Sequence, residues 1–110
     1  MKIYKKLVRD KIPSIIAARG DSAIIRTLSP EEFTVCLSAK LYEEVQEFLS
    51  DNSIEELADI YEVFLAILEE DKRISFELLE QVRRKKLLER GNFSQKVYLD
   101  SVIEQEEIRR

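Results

Sequence analysis

The sequence predicts an all-α protein: an antiparallel helical hairpin core with a short N-terminal helix and extended arms, forming a single domain over residues 1–110. Three observations lead there. Only two Gly and two Pro occur in 110 residues, too few turn-formers for a sandwich or barrel of short strands. Two Ser-x-x-Glu signatures, Ser29 to Glu32 and Ser53 to Glu56, each precede a long run with apolar residues at helical spacing. Between the two runs lies only the polar stretch Ser50, Asp51, Asn52 and Ser53, and helices joined by so few residues pack antiparallel.

Residues 1–9 are mixed in character and read as an arm. From Asp10, an N-cap with Pro13 in the first turn, Ile12, Ile15 and Ile16 have helical spacing, and Gly20 supplies a stop. Residues 22–28 (SAIIRTL) are apolar and β-branched but isolated, so they read as an extended connection or a lone strand. Ser29, Pro30 and Glu32 open a second helix that stays periodic to about Leu49. On it Leu37, Leu41, Val45 and Phe48 fall within about 80° of arc and form a core stripe, with Glu44 on its edge. The third helix, from Ser53 to about Glu70, is apolar round most of its circumference, through Leu57, Ile60, Tyr61, Val63, Phe64 and Leu65, and should be the central one. A fourth runs from Ser75 to about Arg90 and stops at Gly91; residues 92–102 then read as extended before a charged tail.

Several function classes drop out on composition. The chain has no histidine, which removes His-based triads, imidazole bases and His-ligated zinc, so acid, base or metal chemistry must use carboxylates. The single cysteine, Cys36, cannot form an internal disulfide, and nothing in its surroundings in the sequence activates a thiol. No run approaches the eighteen apolar residues of a membrane span, and the basic start MKIYKKLVRDK lacks the apolar stretch of a signal peptide. The expectation is a cytoplasmic protein without a membrane partner.

The net charge of -4 conceals a block pattern. Residues 1–30 carry seven Lys/Arg against two Asp/Glu, residues 31–71 one against thirteen, and residues 72–98 eight against three. A uniformly basic chain would suggest a nucleic acid polymer; an acidic centre between basic flanks does not. Internal charge pairing and solvated helix faces are one reading. The sharper one is a cation held by the acidic centre, with the basic flanks closing on a polyphosphate.

The acidic residues of the hairpin make the sharper reading concrete. Glu44 and Glu47 form an E-x-x-E pair on one flank of the second helix, and Glu56 and Asp59 an E-x-x-D pair in the first turns of the third. If the turn centres between residues 51 and 52, Glu47 lies level with Glu56 and Glu44 level with Asp59, across axes roughly 8 to 10 Å apart. Four carboxylates on two rungs can close around a cation, and without one they repel. All-oxygen ligands suit Mg²⁺ or Mn²⁺ better than zinc. The plainer alternative makes Glu56 only the capping partner of Ser53 and the others ordinary solvated acids, although Asp59 is a poor helix residue in an otherwise apolar helix.

EEVQE (Glu43 to Glu47) followed by ELAD (Glu56 to Asp59) resembles the EExxE…ExxD signature of the all-α nucleoside triphosphate pyrophosphatase superfamily. KLVRDKIPSII (Lys6 to Ile16) and KLLERGNF (Lys86 to Phe93) resemble the opening and closing motifs of a MazG-like or phosphoribosyl-ATP-pyrophosphohydrolase-like subgroup, so the likeness covers about residues 4–100. Two features depart from the pattern: only eight residues separate Glu47 from Glu56, and Asn92 stands where a second Gly is more usual. The resemblance implies Mg²⁺-dependent hydrolysis of a nucleoside triphosphate to the monophosphate and pyrophosphate. It makes Glu44, Glu47, Glu56 and Asp59 the metal ligands and leaves Glu43 either as the group that orients or deprotonates water or as a residue behind the ligands.

A triphosphate also needs cations on its far side, and the candidates are Lys6, Arg9 and Lys11 in the opening motif and Lys86 and Arg90 in the closing one. The alternative for each is pairing with surface acids or with a helix C-terminus. The uncovered apolar circumference of the third helix predicts a homodimer or a dimer of dimers. A phosphoribosyl-ATP pyrophosphohydrolase of histidine biosynthesis and a catalytically silent helical dimer module are the other readings the sequence leaves open.

Overall fold

The computed structural model describes residues 1–105. It contains four helices, α1 (Ile12–Ala18), α2 (Pro30–Asp51), α3 (Ile54–Glu70) and α4 (Phe76–Arg90), and no strand among the described residues. The all-α expectation holds. Residues 22–28 form a connection without strand pairing, and the charged tail expected at the end lies largely outside the described residues. The chain divides into two compact units, Met1–Ser75 and a second beginning at Phe76.

In the first unit α1 opens differently from the sequence expectation. Its N-cap is Lys11, not Asp10, with no side-chain cap; the Ile12 N–H bonds Arg9 O instead, and Pro13 in the first turn has no N–H to satisfy. Its exit follows the expected route: Gly20 at φ +89° takes the left-handed position, its N–H bonds Ala17 O and the Asp21 N–H reaches back to Ile16 O, the two bonds of a Schellman motif.

The α2/α3 hairpin is the main packing unit. Ser29 and Glu32 complete a reciprocal capping box at the start of α2, with Pro30 at the first helical position. The helix continues two residues beyond Leu49, so the connection expected to span residues 50–53 shrinks to Asn52 and Ser53. Asn52 makes this possible by adopting the left-handed conformation (φ 55°), from which its N–H bonds Phe48 O at 2.6 Å. Ser53 then caps α3 by accepting from the Glu56 N–H.

The core of this hairpin is small. Leu37 and Val63 are its buried apolar residues, with Leu41, Val45 and Phe48 half-buried along the expected stripe. Glu44, expected at the edge of that stripe, is 5% exposed and belongs to the core. The expectation that α3 would be central fails within the single chain: Ile54, Leu57, Tyr61, Phe64 and Leu65 all remain exposed, since α2 is short of the width needed to cover more than one face. A shallow apolar depression on α3 is lined by Ile54, Leu57, Ala58, Ile60, Tyr61 and Phe64.

In the second unit α4 ends where Gly91, at φ +79°, donates its N–H to Leu87 O. A turn follows in which the Asn92 side chain accepts from the Ser94 N–H and hydroxyl.

Candidate metal centre

The hairpin brings three of the four expected acids together and leaves Glu47 out of the group. One carboxylate oxygen from each of Glu44, Glu56 and Asp59 lies within 4.8 Å of the others. Glu47, on the facing helix, lies outside that tight group, acts on the Glu56 carboxyl and is itself exposed. Glu43 points elsewhere, accepting from Lys6 and from Lys40, each at 3.5 Å.

Local structure explains why Glu56 is available. In the capping box of α2, Glu32 turns back to accept the Ser29 N–H at 3.2 Å. At α3 only half of the box forms: Ser53 Oγ accepts the Glu56 N–H at 3.3 Å, while the Glu56 side chain is directed to the acids. The consequence is electrostatic. Burial, then the hydrogen bond to Glu47, then the charges of Glu47, Asp59 and Glu44 push the Glu56 carboxyl up to about 7 from 4.5.

Two buried oxygens in this cluster, Glu44 Oε2 and Glu56 Oε2, have no hydrogen-bond partner. An orphaned carboxylate oxygen inside a protein is costly. Three acids at ligand spacing with two such oxygens form a set of hard donors that a small divalent cation would satisfy, and the all-oxygen composition suits Mg²⁺ or Mn²⁺.

Basic side chains ring the cluster, though not all of those expected. Arg9 Nη2 donates to Asp59 Oδ1 at 2.7 Å, and Lys6 Nζ lies 3.5 Å from Glu43 Oε1. Both come from the arm before α1, and both pair with acids, the alternative that the sequence allowed. Lys11 is exposed at the N-cap of α1. Lys86 and Arg90 lie on α4 in the second unit, where Arg90 lines a depression with Gly91, Asn92, Phe93 and Lys96.

The sequence reading missed Lys40. Its ammonium lies 3.2 Å from Glu44 Oε1 and 3.5 Å from Glu43 Oε2, and its side chain is only 16% exposed. The signal was available: Lys40 is the one cation among the thirteen acids of residues 31–71, and it stands three and four residues before Glu43 and Glu44.

Comparison with known proteins gives little more. An uncharacterized protein of Mycolicibacterium smegmatis is 55% identical over 42 residues, covering 38% of this chain and 43% of that relative. The match thus spans less than half of either protein. No family model matches the chain. No solved structure matches it.

Proposed function

We propose that the protein is a Mg²⁺-dependent nucleoside triphosphate pyrophosphohydrolase, releasing monophosphate and pyrophosphate, and that it belongs with the MazG-like proteins its motifs resemble. The observation that carries the reading is the group Glu44, Glu56 and Asp59, three carboxylates within 4.8 Å. Its buried, unpartnered oxygens ask for a cation.

In this reading Glu44, Glu56 and Asp59 hold the ion, and Glu47 completes the set from the level of Glu56. The ion, when bound, supplies charge that polarises phosphate oxygens and acidifies water. The chain supplies the rest. Lys40 fixes the Glu44 carboxylate by an ion pair at 3.2 Å. Glu43, held between Lys6 and Lys40 by ion pairs, is in this reading not a ligand and acts on water from behind the ligands. In the same reading Lys6 and Arg9, on the arm beside the acids, meet the phosphate chain. The absence of histidine throughout the chain is consistent with a site run by carboxylates and a metal. The lone cysteine fits a cytoplasmic setting.

We further propose a homodimer, or a dimer of dimers, built on α3. The exposed row Ile54, Leu57, Tyr61 and Phe64 supports it, since an apolar helix face left open to water is expected to bury itself. Light scattering at micromolar concentration should give at least twice the 12.9 kDa chain mass, and a monomer mass contradicts this arrangement. The catalytic reading is tested by incubating the protein with a panel of canonical and modified nucleoside triphosphates and Mg²⁺, and separating the products. Monophosphate with pyrophosphate is expected; diphosphate with orthophosphate, or no turnover of any member, contradicts the assignment.

A further inference from the structure

The cations around the acidic cluster fall into two kinds. Lys40 belongs to α2, one turn before Glu44, and its side chain is largely buried, so it stays with the acids whatever else binds. Lys6 and Arg9 belong to the arm before α1, which has no helix or strand. Their side chains are 43% and 56% exposed, and the contacts they make to Glu43 and Asp59 are of the weak, solvent-screened kind. Arg9 nevertheless sits on an oxygen of Asp59, one of the three acids grouped at ligand spacing. A guanidinium and a divalent cation on the same carboxylate compete for its lone pairs and repel each other.

We propose that the arm is a displaceable cationic plug: Arg9, helped by Lys6, holds the acidic site in its metal-free state, is released when a divalent cation takes Asp59, and then binds the phosphate chain. This rests on the metal-centre reading and adds an order to it. The guanidinium freed from Asp59 presents a planar fork suited to two phosphate oxygens, beside the ion that has just replaced it. Cation binding and phosphate binding are therefore coupled through one side chain. By linkage, the plug weakens binding of the cation alone and the cation strengthens binding of the anion. The arm keeps its place near the site in the plugged state through Arg9 on Asp59 and Lys6 on Glu43.

The test is calorimetric titration of the full chain, first with Mg²⁺ alone and then, at saturating Mg²⁺, with inorganic pyrophosphate. Three proteins are compared: the parent, Arg9→Gln, and Arg19→Gln as a control that removes the same charge from the far end of α1. Arg9→Gln should bind Mg²⁺ more tightly by about two- to fivefold and pyrophosphate more weakly by about tenfold or more. Arg19→Gln should match the parent in both. The opposite signs are the signature, since general loss of positive charge would strengthen Mg²⁺ binding in both variants. Unchanged or weaker Mg²⁺ binding in Arg9→Gln, or unchanged pyrophosphate binding, overturns the plug and leaves the metal centre standing. A parent that binds no Mg²⁺ overturns both.

Discussion

Ser29 to Glu32 and Ser53 to Glu56 are the same four-residue signature at the starts of two adjacent helices, and the structure takes them to opposite electrostatic states. At α2 the box closes: Glu32 accepts the Ser29 N–H and pairs with Arg26 at 3.0 Å, and these partners lower its carboxyl below the usual 4.5. At α3 the serine still caps, but Glu56 faces Glu44, Glu47 and Asp59, and its carboxyl is pushed up to about 7. Helix capping is thus satisfied by half of the motif, which leaves the glutamate free for something else. The facing helix makes the difference. Glu32 looks toward an arginine and a backbone amide, whereas Glu56 looks across the hairpin at other acids.

The sharpest way to break this comparison is to make the same substitution in both boxes. If the site works as proposed, Glu56→Gln should lower triphosphate turnover by at least about a hundredfold, because it removes a ligand. Glu32→Gln, outside the cluster, should stay within about twofold of the parent. Equal losses in both would mean that Glu56 is only a cap. Asp59→Asn should behave as Glu56→Gln does.

Melts without metal should separate the two boxes by sign. At pH 8 in chelator, Glu56→Gln should raise the Tm, since it removes a charge that burial and neighbouring acids penalise, while Glu32→Gln should lower it. The pH dependence follows from the same shifts. The folded protein holds a proton on Glu56 more tightly than the unfolded chain between about 7 and 4.5, so stability falls as pH rises through that window. The gain from Glu56→Gln should accordingly shrink as pH is lowered from 8 and be gone by about 4.5. Glu32 has the opposite sign: its contribution is present above 4.5 and is lost as pH falls through its lowered folded value. A gain from Glu56→Gln that does not vary with pH would contradict the electrostatic account.

The smallest expected effect tests what the boxes share. Ser29→Ala and Ser53→Ala each remove a side-chain oxygen that accepts a helix N–H, and each should cost about 1 kcal/mol in the metal-free protein. A much larger cost at Ser53 would mean that the serine also supports the acids.

Much of this was legible before the structure because caps carry their own sequence. The four helices, their order, and the convergence of Glu44, Glu56 and Asp59 across the hairpin follow from local signatures and one turn. What escaped depends on the facing element. Asn52 looks like any polar loop residue until its left-handed backbone lets α2 run on to Asp51. The pairing of Lys40 with Glu43 and Glu44 can be read from their spacing on α2, but its burial cannot. Glu44 looks like the edge of an apolar stripe, yet it is enclosed while the apolar face of α3 stays open, an inversion that periodicity within one helix cannot show. The halves of the Ser53 box separate for the same reason, since the pull on Glu56 comes from residues on another helix.

The central claim, that the half-open box presents a cation ligand, is tested most directly by the shift in Tm produced by Mg²⁺ at neutral pH in the parent and in Glu56→Gln. A cation that binds the folded state stabilises it by mass action, so the parent's Tm should rise with Mg²⁺ concentration. The variant, already the more stable of the two in chelator, should show little rise and be overtaken. An identical Mg²⁺ shift in both proteins, or none in the parent, would contradict the account.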